Sequence, residues 1–202
     1  MLVKKKTVTN ADIKFSGITL LSVEEAEQVP DDILRKTDYW WLRSPGVYEG
    51  DPTGKDTEYI KACVAVVGAD GRISRTGTYI TSDNCYGIRP ALKLCKGSGL
   101  NPRDELELAG NRWTVIPGGY ALMDDSIRTV KDSLFFRSTP RVLVPFRDCY
   151  IEGHEVVLND QAGTRISFDD RPNSYEDSDI KRFVEEWAFA SGICFEDVND
   201  TP

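Results

Sequence analysis

Short strand-like apolar stretches dominate most of the chain. Residues 62–74, ACVAVVGADGRIS, contain an apolar run, an Asp-Gly turn and a second run, which predicts a β-hairpin. Residues 105–125 predict two or three strands, because turn-forming residues interrupt the apolar pattern at 110–111 and at 117–119. Shorter apolar runs between 127 and 172 predict further short strands.

Two short helices are expected near the start of the chain. The sequence SVEE at 22–25 matches a capping box, with Ser22 as the N-cap and Glu25 at the third helical position. A second helix is expected to begin near Pro30, a residue suited to a first helical turn.

The clearest helix signal lies near the end of the chain. A helix is predicted over 175–191, with Asn173 or Ser174 as its cap and Gly192 as its stop. Its apolar face is predicted to pack into the core and consists of Ile180, Phe183, Val184, Trp187 and Ala188.

Turn-forming residues cluster at 95–105 and divide the chain into two segments, 10–96 and 103–192. The combined signals predict an α+β fold, mostly antiparallel sheet with a few helices. The segments form either one compact domain over 1–202 or two abutting subdomains split near 97–103.

Composition and charge narrow the classes of partner. The chain has 202 residues, 40% hydrophobic content and a formal net charge of −8. This charge repels phosphate backbones, so we expect no direct nucleic-acid binding and a partner with a basic surface. No apolar run reaches the roughly 20 residues that a membrane-spanning helix needs, so we expect no membrane association and a cytoplasmic protein.

The residues suited to catalysis are few. The scattered cysteines never form a C-x-x-C pair and are expected to be reduced: Cys63, Cys85, Cys95, Cys149 and Cys194. An enzyme of unknown reaction that uses Cys149 with His154, or the acidic segment 168–179, is the alternative function. With one histidine and no EF-hand pattern, we expect no metal and no cofactor.

Two arginine-bearing motifs frame the middle of the first segment: YWWLRSPG at 39–46, within the stretch DYWWLRSPGVYEG at 38–50, and YGIRPALKL at 86–94. In an extended strand Trp40 and Trp41 point to opposite faces, one inward and the other across a loop or partner surface. The second motif predicts a strand, and its proline predicts that the strand begins at an edge or a bulge.

The arginines of these motifs lie among apolar residues. A buried guanidinium needs carboxylates or carbonyl oxygens as partners. We therefore predict that Trp40, Trp41, Arg43 and Arg89 are structural and tie the long intervening loop to the sheet, whereas the competing hypothesis is that the arginines grip an anionic ligand.

The order of YWWLRSPG, the Asp-Gly hairpin and YGIRPALKL resembles a bacterial and phage domain family of unknown function, whose members carry W-L-R-S-P and G-[VI]-R-P-A-L motifs. This order also resembles the C-terminal half of the C-type-lectin-like fold of formylglycine-generating enzymes and of retroelement variable proteins. The resemblance covers about residues 38–94 and implies a lectin-like scaffold. The cysteine pair of formylglycine-generating enzymes is not matched by Cys85 and Cys95, so their activity is not carried over.

The second segment resembles a different part of the same family. Residues 108–127 and 173–187 are similar to the strand-strand-helix segment that precedes the W-L-R-S-P motif in longer relatives. Here the order is reversed, which implies a permuted single domain or two abutting subdomains.

The resemblance implies where a ligand is bound, because the variable proteins display their binding residues between the two framing motifs. Loops rich in Tyr, Thr and Asn also suit protein recognition. The candidate binding residues are Tyr48, Glu49, Asp51, Glu58, Tyr59, Thr76, Thr78, Tyr79, Asp83 and Asn84. The expected function is a non-enzymatic binding protein encoded by a phage or mobile element, which recognises a protein partner and inhibits a host defence nuclease.

Overall fold

A computed structural model describes nine stretches of the chain: residues 7–8, 13–36, 39–47, 63–79, 86–127, 149–152, 155–158, 165–166 and 174–196. Their strands are β1 (Thr7–Val8), β2 (Phe15–Thr19), β3 (Trp40–Pro45), β4 (Cys63–Val67), β5 (Ile73–Tyr79), β6 (Tyr86–Gly87), β7 (Ala91–Leu94), β8 (Glu105–Leu108), β9 (Asn111–Ile116), β10 (Tyr120–Met123), β11 (Cys149–Glu152), β12 (Glu155–Leu158) and β13 (Arg165–Ile166). The helices are α1 (Val23–Ala26), α2 (Asp31–Leu34) and α3 (Asp179–Ala190).

Two mainly antiparallel sheets and few helices make this an α+β fold, as predicted. The six-stranded sheet has the order β1-β8-β9-β10-β7-β2, and only its β1–β8 pair is parallel. The five-stranded sheet has the order β13-β6-β3-β4-β5, and only its β6–β3 pair is parallel. Strands β11 and β12 form a separate hairpin.

The two predicted hairpin regions are confirmed. Residues 105–123 form three strands, and the first turn has positive φ at both Ala109 (52°) and Gly110 (70°). This geometry matches a type I′ turn, which suits the twist of a two-residue hairpin. Strands β4 and β5 pair as a hairpin and are joined through the turn at Asp70. Asp70 Oδ1 accepts a 3.0 Å hydrogen bond from the Arg72 amide in this turn.

The GIRPAL motif crosses from one sheet to the other. Strand β6 lies in the five-stranded sheet, whereas β7 lies in the six-stranded sheet between β10 and β2. Of the two predicted alternatives, an edge or a bulge, the edge is wrong, because β7 is an interior strand. The register shift in the β2–β7 pair lies at Phe15–Gly17, opposite the other end of β7. Pro90 is buried at the crossing between the sheets, where its missing backbone N–H removes no hydrogen bond between strands. The Pro90 carbonyl accepts a 2.9 Å hydrogen bond from the Met123 amide.

The capping box of α1 is confirmed. The Glu25 amide donates to Ser22 Oγ at 3.2 Å, and the Ser22 amide donates to Glu25 Oε2 at 2.7 Å. Helix α2 follows directly, with Pro30 in the N-cap position and its carbonyl accepting from the Ile33 and Leu34 amides.

Helix α3 begins later than predicted. Its cap is Ser178, whose Oγ accepts a 3.1 Å hydrogen bond from the Lys181 amide, so the predicted cap at Ser174 is wrong. The other predicted cap, Asn173, lies outside the described residues. Several residues in this stretch are good N-caps, so the sequence alone did not select one. Ile180 and Phe183 are buried as predicted, and the Trp187 ring lies 6.3 Å from the Trp113 ring of β9. The apolar face of this helix therefore packs into the core, as predicted, and it does so against the sheet that carries Trp113.

The buried apolar residues form two clusters on opposite sides of the five-stranded sheet. One contains Trp41, Trp113 and the buried face of α3, and the other contains Trp40 and the buried residues of α1 and α2. Among the described residues the longest helix has 12 residues, and none is both long and apolar enough to cross a bilayer.

Candidate functional site

Strand β3 places its two tryptophans on opposite faces, but both faces are buried. Trp40 and Trp41 are each 0% exposed, so the expectation that one of them faces a loop or partner surface is wrong. Trp41 meets Tyr86 edge-on, with ring centroids 5.0 Å apart. Trp40 lies under α2, and its Nε1 donates to the Leu34 carbonyl at 3.3 Å. The Trp40 side of the strand is closed by a buried cluster that includes residues of α1, α2 and the six-stranded sheet.

Arg89 lies at the crossing between the sheets and is 0% exposed. Its Nε donates to the Met123 carbonyl at 3.0 Å. Its Nη1 donates to the carbonyls of Ile33 at 3.2 Å and Leu34 at 3.3 Å, which are left open at the end of α2. The guanidinium carbon lies 4.7 Å from the centroid of the Trp40 ring, a cation–π arrangement.

Within the part of the chain that the structure describes, carbonyl dipoles and not an ion pair stabilise the charge on Arg89. Among the described residues its polar partners are carbonyl oxygens, while Asp124 and Asp125 act on it from farther away. Burial lowers the pKa of the Arg89 guanidinium to about 9, and the two aspartates oppose that shift. A residue enclosed in this way supports the junction of β10, α2 and the GIRPAL crossing, and it presents no surface to a ligand.

Arg43 is the centre of a half-buried polar network at the other motif. Its guanidinium forms a two-pronged ion pair with Glu25, including Nη2 to Oε1 at 2.8 Å, and its Nη1 also donates to the Leu20 carbonyl at 2.7 Å. Tyr120 donates its hydroxyl to Glu25 Oε1 at 2.8 Å. Burial raises the pKa of Glu25, but bonds from Arg43, the Ser22 amide and Tyr120 outweigh it and leave the pKa below its ordinary value.

A bulge in β5 lies beside the exit of β3. Between Val64 and Val66 the pairing shifts, so that β5 has extra residues there. Gly77 has a φ of 72°, and a Cβ on it would lie 2.0 Å from the Val64 carbonyl oxygen, so only glycine fits this position. The Val47 amide reaches the bulge and donates to the Arg75 carbonyl at 2.8 Å.

Three of the ten candidate binding residues lie in β5. Thr76 is exposed at the bulge, Thr78 is half-buried opposite Val64, and the backbone of Tyr79 pairs with Cys63. The remaining seven lie outside the described residues: Tyr48, Glu49, Asp51, Glu58, Tyr59, Asp83 and Asn84.

Two exposed apolar side chains mark the ends of β3. Val47 is 55% exposed at the end nearer the bulge, and Tyr39 is 51% exposed at the other end, 5.5 Å from the Tyr86 ring. Tyr39 was not among the predicted binding residues. Its adjacency to two buried tryptophans gave no sign that it is exposed.

The alternative catalytic groups are only partly described. Cys149 lies in β11 opposite Leu158, and His154 lies outside the described residues. In the acidic segment, Glu176 and Asp177 are exposed just before α3. No group of three or more metal-ligating side chains occurs in the described stretches of the chain.

Comparisons with protein-family models, curated proteins and solved structures found no match for this chain.

Proposed function

We propose that this chain is a non-enzymatic binding protein, which recognises a protein partner with a basic surface through residues between its two framing motifs. The scaffold proposed is C-type-lectin-like and permuted, on the resemblance of YWWLRSPG, the Asp-Gly hairpin and YGIRPALKL to that fold. A phage or mobile-element origin follows from the same resemblance. A defence nuclease suits the proposal, because its nucleic-acid channel must be basic.

The observation that carries the proposal is the internal use of the motif side chains. Arg89 is enclosed by carbonyls and the Trp40 ring, and Arg43 is paired with Glu25. These arginines are therefore occupied within the fold. We assign partner binding to the interval between the motifs, which includes exposed Thr76 and Val47.

The charge of that interval supports a basic partner. Glu49, Asp51 and Glu58 lie between the motifs in a chain whose formal net charge is −8. Acidic groups of this kind speed the encounter with a basic surface, and that effect weakens as salt screens the charges. Tyr48 and Tyr59 would supply the apolar contact that slows dissociation.

The test begins with capture of binding proteins from a bacterial host lysate on the immobilised chain. The association rate of a captured partner is then measured at low and high salt for the parent and for a triple variant, Glu49→Gln with Asp51→Asn and Glu58→Gln. We expect the triple variant to associate more slowly and to depend less on salt. Tyr48→Ala and Tyr59→Ala should instead raise the dissociation rate.

A matched control removes three charges elsewhere. Glu107→Gln with Glu176→Gln and Glu186→Gln changes the net charge equally at exposed positions on β8 and on or beside α3. We expect this control to associate nearly as fast as the parent. Equal slowing by both triple variants, or no slowing by the first, would show that binding does not use the interval between the motifs.

A further inference from the structure

We draw no further inference here: the strongest candidate, the pair of exposed phenylalanine side chains at the end of α3 and just beyond it (Phe189, 86% exposed, and Phe195, 40% exposed), carries nothing, because nothing in the described part of the chain shows what covers it.

Discussion

The two framing motifs hold their arginines in opposite ways. Arg43 remains partly exposed and forms a two-pronged ion pair with Glu25, whereas Arg89 is fully buried against carbonyls and the Trp40 ring. Although burial lowers the pKa of Arg43, its bonds to Glu25 raise it above the ordinary value. Burial brings the pKa of Arg89 down to about 9. The first motif thus supports the fold through the ion pair of Arg43, and the second supports it through the buried hydrogen bonds from Arg89 to carbonyl oxygens.

The largest expected effect belongs to Arg89. Arg89→Ala should lower the free energy of unfolding by about 3–5 kcal/mol, because it opens a cavity beside Trp40 and removes the guanidinium hydrogen bonds to the Met123, Ile33 and Leu34 carbonyls, of which Leu34 keeps the bond from Trp40 Nε1. Urea unfolding at neutral pH measures this loss. Arg89→Met is the control, since it restores volume without the hydrogen bonds and should lose less. An alanine variant that unfolds like the parent would break the comparison.

A smaller loss is expected at Arg43. Arg43→Ala should cost about 1.5–3 kcal/mol, because water reaches the Glu25 carboxylate that it leaves behind. The same urea experiment should therefore rank it below Arg89→Ala. Arg43→Lys keeps the charge but not the two-pronged geometry and should fall between parent and alanine. If Arg43→Ala lost more stability than Arg89→Ala, the ion pair of Arg43 would stabilise the fold more than the buried carbonyl contacts of Arg89 do.

The pH dependence of stability separates the two motifs further. The pKa of folded Glu25 is lowered, so its contribution is complete above the ordinary carboxyl pKa of about 4.3 and is lost as pH falls through the folded value. The stability difference between the parent and Glu25→Gln should therefore narrow as the solution is acidified. Thermal melts from pH 7 to about 3 measure it, and a constant difference would contradict the paired geometry.

The smallest effect is expected at a mostly exposed ion pair between an arginine and an aspartate. Arg103 bonds to Asp32 at 2.9 and 3.1 Å, a geometry similar to the Arg43 pair, but both side chains are more than half exposed. Water and salt screen such a pair. Asp32→Asn should melt indistinguishably from the parent by differential scanning calorimetry. A clear drop in melting temperature would show that the geometry of an ion pair, and not its burial, determines how much it stabilises the fold.

Local signals were enough to predict the hairpins and the first cap. The Asp-Gly turn and the Ser22–Glu25 capping box each lie within a few residues, so the pattern contains the whole interaction. The apolar face of α3 was likewise visible as a helical period. Its start was misplaced because several good N-caps compete within six residues.

Features that depend on distant elements were not predictable. The cluster that buries Trp40 includes residues of β4, β9 and β10, and Pro90 marks a crossing because the strand after it pairs with β10. Neither fact can be read from neighbouring residues. The candidate site is predicted mainly by resemblance, and most of its residues lie outside the described part of the chain.

The central claim is that the motif arginines support the fold and that partner binding uses the interval between them. Arg43 gives the most direct test, because it is the framing arginine with exposed surface. The affinity of a captured partner should be the same for Arg43→Met as for the parent and lower for the Glu49, Asp51 and Glu58 triple variant. An Arg43→Met variant that melts like the parent and has lost the partner would contradict the claim.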